Sequence, residues 1–300
     1  MEDDAPVAPK TMRIAVIGAG TMGAPMALRL KDAGFPLIVC DRAQDNLAPL
    51  QAKGVETAMV PAACAECDVI LILVATPKQL HKVVAGEHGL GAAGSGRRRR
   101  HVVVMSTVAP EDMHDLAAIF AGSRTRPVDA PISGGVIGAE QGTLTIMVGG
   151  ADEDVAARVP IFEVLGTNVF HCGPLGAGQA TKIVNNAIGI ANIVLSAEAF
   201  RIGREYGIAH AALMRALDTG TGRNFFTAAP DIAPDAYAAW TRTPDEFASL
   251  WSIFRKDIDL ALGIGGGGDP RPVLRALRGV LDRANDETFD NWKMVAIGDP

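Results

Sequence analysis

The stretch Ile14-Ala-Val-Ile-Gly18-Ala-Gly20-Thr-Met-Gly23 constrains this chain more than any other. A β-branched apolar run leads into glycines spaced GxGxxG, and a helical pattern, Ala24–Ala33, follows. In a strand–turn–helix of this kind each glycine has a physical job. Gly18 makes the tight turn, Gly20 lets the backbone approach a pyrophosphate, and Gly23 lets the helix pack close to the strand. The helix N-terminus then offers unpaired N–H groups and partial positive charge to the phosphates. The glycine spacing alone would also suit a structural turn. A second apolar run, Leu37–Cys40, adds to it by ending in Asp41, where a carboxylate can take a ribose 2′-hydroxyl. The expected ligand is a nicotinamide dinucleotide.

At 300 residues the chain can build two cores. A hydrophobic content of 48% with 5% aromatics suits an Ala/Val/Leu-built α/β or helical enzyme, not a disordered or disulfide-built protein. The net charge of −6 argues against a nucleic-acid partner. The one basic run, Arg97–Arg100, follows the glycine-rich segment Gly91–Gly96 and reads as a solvated loop. Cys64-Ala-Glu-Cys67 has redox or zinc spacing, but no second CxxC or paired His set lies nearby. It reads as two half-buried thiols, with no metal. No apolar stretch reaches membrane-spanning length, and Met1–Lys10 is acidic and proline-containing, unlike a signal peptide. The expectation is a cytoplasmic protein with no membrane partner.

Short β-rich runs recur through the first half: Arg13–Ile17, Leu37–Cys40, Val69–Val74, Val102–Met105 and Val128–Ala130. Helix-like segments, Asn46–Lys53, Pro77–Val84 and Glu111–Phe120, lie between them. This alternation predicts a Rossmann-type, doubly wound parallel sheet. Thr143–Val148 and Val169–His171 add strands, with a helix near Asp152–Leu165 between them. After Gly173-Pro174 the character changes. From Gly176 to Tyr206 there is no proline, and Ile183, Ala187, Ile190, Val194 and Ala197 fall at helical spacing. About 30 residues at a 1.5 Å rise make a helix of roughly 45 Å. Further helices are expected near His210–Leu217, Pro244–Leu262 and Arg271–Ala284. The expected organisation is a tail at 1–10, a dinucleotide-binding domain at 11–173 and an all-helical substrate and dimerisation domain at 174–300. A substrate would sit in the cleft between domains.

Hydride transfer belongs to the cofactor, so the protein must position a substrate and handle one proton. Lys182 and Asn186 are four apart and share one helical face. A helical lysine is usually a solvated surface charge. Here it stands among Ala, Thr, Ile and Val, and burial would favour the neutral amine that acid/base work near neutral pH requires. Asp129-Ala-Pro-Ile-Ser133-Gly134-Gly135 places backbone N–H groups beside a hydroxyl, a cradle suited to a small carboxylate. Composition leaves a tight connection between strands equally open.

Together these segments resemble the β-hydroxyacid dehydrogenase family, which includes 3-hydroxyisobutyrate dehydrogenase and tartronate semialdehyde reductase. Its dinucleotide motif GxGxMGxPM stands as Gly18-Ala19-Gly20-Thr21-Met22-Gly23-Ala-Pro25-Met26. Its D-x-P-x-S-G-G is Asp129 to Gly135, and its GxGxxxKxxNN is Gly176 to Asn186. KDxxLA stands as Lys256 to Ala261, and STxxP as Ser106 to Pro110. The resemblance runs through nearly the whole chain in the right order. It implies that Lys182 donates and accepts the proton, that Asn186 orients the substrate, and that Ser133, Gly134 and Gly135 hold its carboxylate. It also implies that Val74, Ala75, Gln79, Thr107 and Lys256 approach the cofactor, with Lys256 close to the reacting centre. Gly263–Gly268, Asp269–Pro272 and Glu287–Trp292 depart from the family pattern. Asp41 favours NAD, because a carboxylate repels a 2′-phosphate, while Arg42 leaves NADP open. The implied partners are a small carboxylate substrate and further copies of the chain. The alternatives are an imine reductase using NADPH, against which Lys182 argues, and a non-catalytic dinucleotide-binding module. Phe225, Phe226, Trp240 and Trp251 either shape the far end of the substrate or pack a core.

Overall fold

A computed structural model describes residues 11–91, 99–264 and 271–297. The expected N-terminal tail, most of the 91–98 stretch and the glycine-rich run at 265–270 lie outside those residues. The first half alternates as expected: β1 (Ile14–Ile17), α1 (Gly23–Asp32), β2 (Leu37–Cys40), α2 (Gln44–Gln51), β3 (Glu56–Ala58), β4 (Val69–Ile72), α3 (Pro77–Ala85), β5 (Arg100–Val104), α4 (Pro110–Ile119) and β6 (Thr125–Asp129). Strands run β3-β2-β1-β4-β5-β6, all parallel. β1, β2 and β4 are buried at every position, as a parallel sheet covered on both faces requires. Ile14 and Val16 pack with Met26, Ala27 and Leu30 of α1. Ala15 and Ile17, pointing the other way, meet Leu80 and Val84 of α3 and Met113 and Leu116 of α4.

Beyond β6 come β7 (Ile132–Ser133), α5 (Gly135–Gln141), β8 (Leu144–Gly149), α6 (Asp152–Ala156), α7 (Val159–Leu165) and β9 (Gly166–Gly173). β8 runs antiparallel to β6 and β7, and β9 pairs with β8 in parallel. The edge of the sheet is therefore mixed. A parallel return needs a crossover long enough to regain the far end of the sheet, and the seven residues of α5 are too few. The single helix expected near 152–165 is two, with Pro160 in the first turn of α7 where a ring without an N–H is tolerated.

The chain divides into two compact units, up to Lys182 and from Ile183 onward, and the division falls inside α8 (Ala177–Glu205). The second unit is helical: α9 (His210–Thr219), α10 (Ile232–Trp240), α11 (Pro244–Gly263), α12 (Pro272–Asp282) and α13 (Asp286–Ile297). All five periodic residues of α8, Ile183, Ala187, Ile190, Val194 and Ala197, are buried in its core. Around them Phe226, Tyr237, Phe247, Trp251 and Trp292 pack in tilted and edge-on pairs, the Tyr237 and Trp292 rings 4.8 Å apart at 86°. Trp251 and Phe226 are thus core residues, whereas Phe225 is 68% exposed.

Three expectations are corrected. Of the basic run, Arg100 is not in a solvated loop, Arg99 is exposed and pairs with Glu153 and Asp154, and the first two arginines lie outside the described residues. Arg100 opens β5, is buried, and donates to Thr125 Oγ1 at 2.8 Å and to the Ala65 carbonyl at 2.6 Å. Cys64 and Cys67 are fully buried, not half-buried, because the short 3-10 turn Pro61–Cys64 and the residues after it pack under the sheet. By length and composition alone, α8 is long and apolar enough to cross a membrane. Asn and Ser interleaved among its apolar residues break up any continuous run.

Candidate active site

Gly18 leaves β1 at φ 103°, and a Cβ there would stand 2.2 Å from the Leu73 carbonyl oxygen. A Cβ on Gly23 would stand 1.8 Å from the Gly18 carbonyl oxygen, so the start of α1 can lie on the turn only as glycine. Gly20 is different: it is exposed, and no atom lies within 4 Å of where its Cβ would be. The first turn of α1 has no side-chain cap and no acidic residue. At the end of β2, Asp41 accepts from Ala19 N at 2.8 Å and from Ala43 N at 2.9 Å, which ties the carboxylate to the glycine turn.

Gly18, Gly20, Asp41, Arg42, Val74, Ala75 and Gln79 border one cavity of about 650 Å³, within the usual range for a cofactor pocket. Asn46, Met59, Lys82 and His88 also line it, and nothing in their sequence context marks them. Ala19, Thr21, Met22 and Gly23 stand behind or beside this wall. Ala19 is buried beneath it, Met22 packs on the core and Thr21 faces solvent. These residues fit a dinucleotide: an open glycine edge for phosphate, and a fixed carboxylate at the far strand end for a ribose.

Three sequence motifs meet at the start of α8. Asp129, fully buried at the end of β6, accepts from Gly176 N at 2.7 Å and Gln179 N at 2.8 Å. It thereby caps the first turn of the helix. Burial raises its carboxyl above the ordinary range, which the N–H groups of Gly176 and Gln179 only partly offset. The approach is close. A Cβ on Gly178 would be 2.2 Å from the Met147 carbonyl oxygen and 2.7 Å from Asp129 Oδ2, and one on Gly149 would be 2.5 Å from Asp129 Oδ1. Gln179, also fully buried, accepts from Val108 N at 3.1 Å and donates to the Ser106 carbonyl at 2.8 Å. Ser106 Oγ in turn accepts from Val74 N at 2.8 Å. Lys182 follows Gln179 by three residues and is 7% exposed. Ser133 is half-buried in β7, and Gly134 and Gly135 follow it at φ 130° and 63°, both exposed. Thr107 is half-buried between Ser106 and Val108 and does not border the 650 Å³ cavity.

In the helical unit, Asn186 Nδ2 donates to Asp257 Oδ2 at 2.7 Å, while Asn186 Oδ1 accepts from Asn185 Nδ2 at 3.1 Å. A carboxylate can only accept, so this contact fixes which way the Asn186 amide faces. Lys256 Nζ lies 2.7 Å from Oδ1 of the same buried Asp257. Among the described residues, no cluster of three or more His, Cys, Asp or Glu is placed to hold a metal ion.

The sequence model of the NAD binding domain of 6-phosphogluconate dehydrogenase matches residues 13–173. That of the NAD-binding region of NADP-dependent 3-hydroxyisobutyrate dehydrogenase matches residues 176–297. A probable mitochondrial 3-hydroxyisobutyrate dehydrogenase of Dictyostelium discoideum is 35% identical over 212 residues, 70% of this chain and 65% of that protein. The 3-hydroxyisobutyrate dehydrogenase of Pseudomonas aeruginosa is 32% identical over 256 residues, 83% of this chain and 84% of that protein. Among solved structures, the Mycobacterium tuberculosis 3-hydroxyisobutyrate dehydrogenase with L-serine aligns at TM-score 0.78 and 26% identity, covering 96% of this chain and 98% of that one.

Proposed function

Because this chain belongs to the β-hydroxyacid dehydrogenase family, whose cofactor is NAD(P), we propose that it reversibly oxidises a small β-hydroxy acid with NAD, using Lys182 as general base. A bound nicotinamide would supply the acceptor for the hydride of the carbinol carbon. Ser133 and the backbone N–H groups of Gly134 and Gly135 hold the substrate carboxylate. Asn186, one turn beyond Lys182 on α8, orients the substrate. Lys182 takes the hydroxyl proton in oxidation and returns it in reduction. Asp41 holds the adenosine ribose diol, which favours NAD, and Arg42 at the cavity edge is the residue through which NADP would enter.

The observation that carries this reading is the buried lysine on a helix whose first turn is clamped by Asp129 and Gln179. A solvated surface lysine needs no such mount. The test is a panel of 3-hydroxyisobutyrate, 3-hydroxypropionate, glycerate, threonate, serine and 4-hydroxybutyrate, run with NAD and with NADP. Lys182→Ala should lower kcat on the best acid by about 10²–10⁴-fold and leave cofactor affinity nearly unchanged. Near-normal kcat in that variant removes Lys182 from the mechanism.

A further inference from the structure

Gln179 grips the backbone on both sides of Thr107, accepting from Val108 N and donating to the Ser106 carbonyl, from a fully buried position three residues before Lys182. Its own N–H is held by Asp129. The Ser106 side chain reaches on to Val74 N, on the wall of the dinucleotide cavity. One side chain therefore links the Ser106–Val108 loop, which holds Val74 of the cavity wall through Ser106, to the helix that carries the lysine. Both ends of the buried amide are satisfied, so the link is stable and specific in its geometry.

We infer that Gln179 is a positioning residue for hydride transfer, holding the Thr107 loop and the Lys182 helix in register. This rests on the proposed role of Lys182. The consequence is a split between binding and chemistry. Loosening the link displaces reacting groups by a fraction of an ångström, to which the rate is far more sensitive than cofactor affinity is.

Gln179→Glu tests this with a chemical switch. Ionised, the introduced carboxylate can still accept from Val108 N but cannot donate to the Ser106 carbonyl. Protonated, it presents an O–H in the same place and restores both bonds. The titratable groups in the same network are Asp129 at the end of β6, Lys182 one turn on, and Asp112 in the first turn of α4, which accepts from Ala109 N. Each is present in the unaltered protein and cancels in the ratio of variant to wild type. That kcat ratio should fall by about 10²-fold at alkaline pH and recover as pH is lowered, with cofactor Kd within about threefold throughout. Gln179→Met, which lacks the amide, should show the low ratio at every pH and faster hydrogen exchange at the Val108 amide. A kcat ratio near unity and flat with pH in Gln179→Glu overturns the inference, as does a loss confined to cofactor Kd. If instead Lys182→Ala retains activity, the proposed function fails, and the Val108 exchange still reports on the link.

Discussion

His101 stands at the second position of β5 with 5% of its surface exposed, its Nε2 2.8 Å from Asp154 Oδ1. Burial, reinforced by the Arg158 guanidinium, pushes its imidazole down to about 4, and the carboxylate of Asp154 only partly opposes this. In the unfolded chain the same group titrates near 6.5, so as pH falls through that value the unfolded state takes up the proton first. The stability of the neutral buried form is thus complete above pH 6.5 and is lost down to about pH 4. Between pH 7.5 and 4.5 this amounts to about 2–3 kcal/mol. His101→Gln keeps an N–H for Asp154 without titrating, and its urea unfolding free energy should fall correspondingly less over that interval. Parallel pH slopes for variant and wild type would refute the assignment. His101 and Arg100 were not legible as buried from the sequence. Their partners Asp154, Thr125 and the Ala65 carbonyl lie 25 to 53 residues away, and a basic run beside glycines carries no sign of them.

At the scale of elements, the joint between β6, β8 and α8 is where steric tolerance is lowest. Gly178→Ala places a methyl group against a carbonyl oxygen and a carboxylate that the wild-type backbone approaches too closely to yield. The helix start must shift, at a cost of about 1–3 kcal/mol of stability, and Lys182 shifts with it. The expected result is a lower melting temperature together with a kcat loss of about 10²-fold, against nearly unchanged cofactor affinity. Unchanged kcat in a destabilised variant would mean that the lysine's position does not depend on this joint. Elements of strong periodicity were readable in advance: β1, β2 and β4 as β-branched runs, and α8 by its five apolar positions. α10 was missed because it is alanine-rich with a proline inside, α13 because its apolar residues are set among charges, and β7 because two residues make no pattern. The motif residues could be named from the sequence. That Asp129 caps the helix bearing the lysine could not, since 47 residues separate it from Gly176.

At the scale of the whole molecule, α8 carries an exposed apolar face among the described residues. Beside its buried face, α8 exposes Val184, Ile188, Leu195 and Ile202 at 55%, 58%, 66% and 56%. Their spacings of four, seven and seven, with Ala191 between, form a continuous seam of the kind that helices bury against one another. Lipid is the weaker occupant. Between Lys182 and Glu198 the uncharged stretch is 15 residues, about 22 Å of helix, against a hydrocarbon thickness of about 30 Å. It also includes Asn185, Asn186, Asn192 and Ser196, and Arg201, Arg204 and Glu205 follow it. A second copy of the chain supplies a matching seam through a two-fold axis, which is the commonest closed arrangement. We therefore expect a homo-oligomer, with a light-scattering mass at micromolar concentration that is a multiple of 31.3 kDa. Leu195→Glu puts a charge at the centre of the seam, on a residue too exposed for its loss to unfold the protomer. It should lower the mass to that of a smaller assembly while far-ultraviolet circular dichroism stays unchanged. A monomeric wild type sinks the proposal outright, and an unaltered mass in the variant moves the interface away from α8.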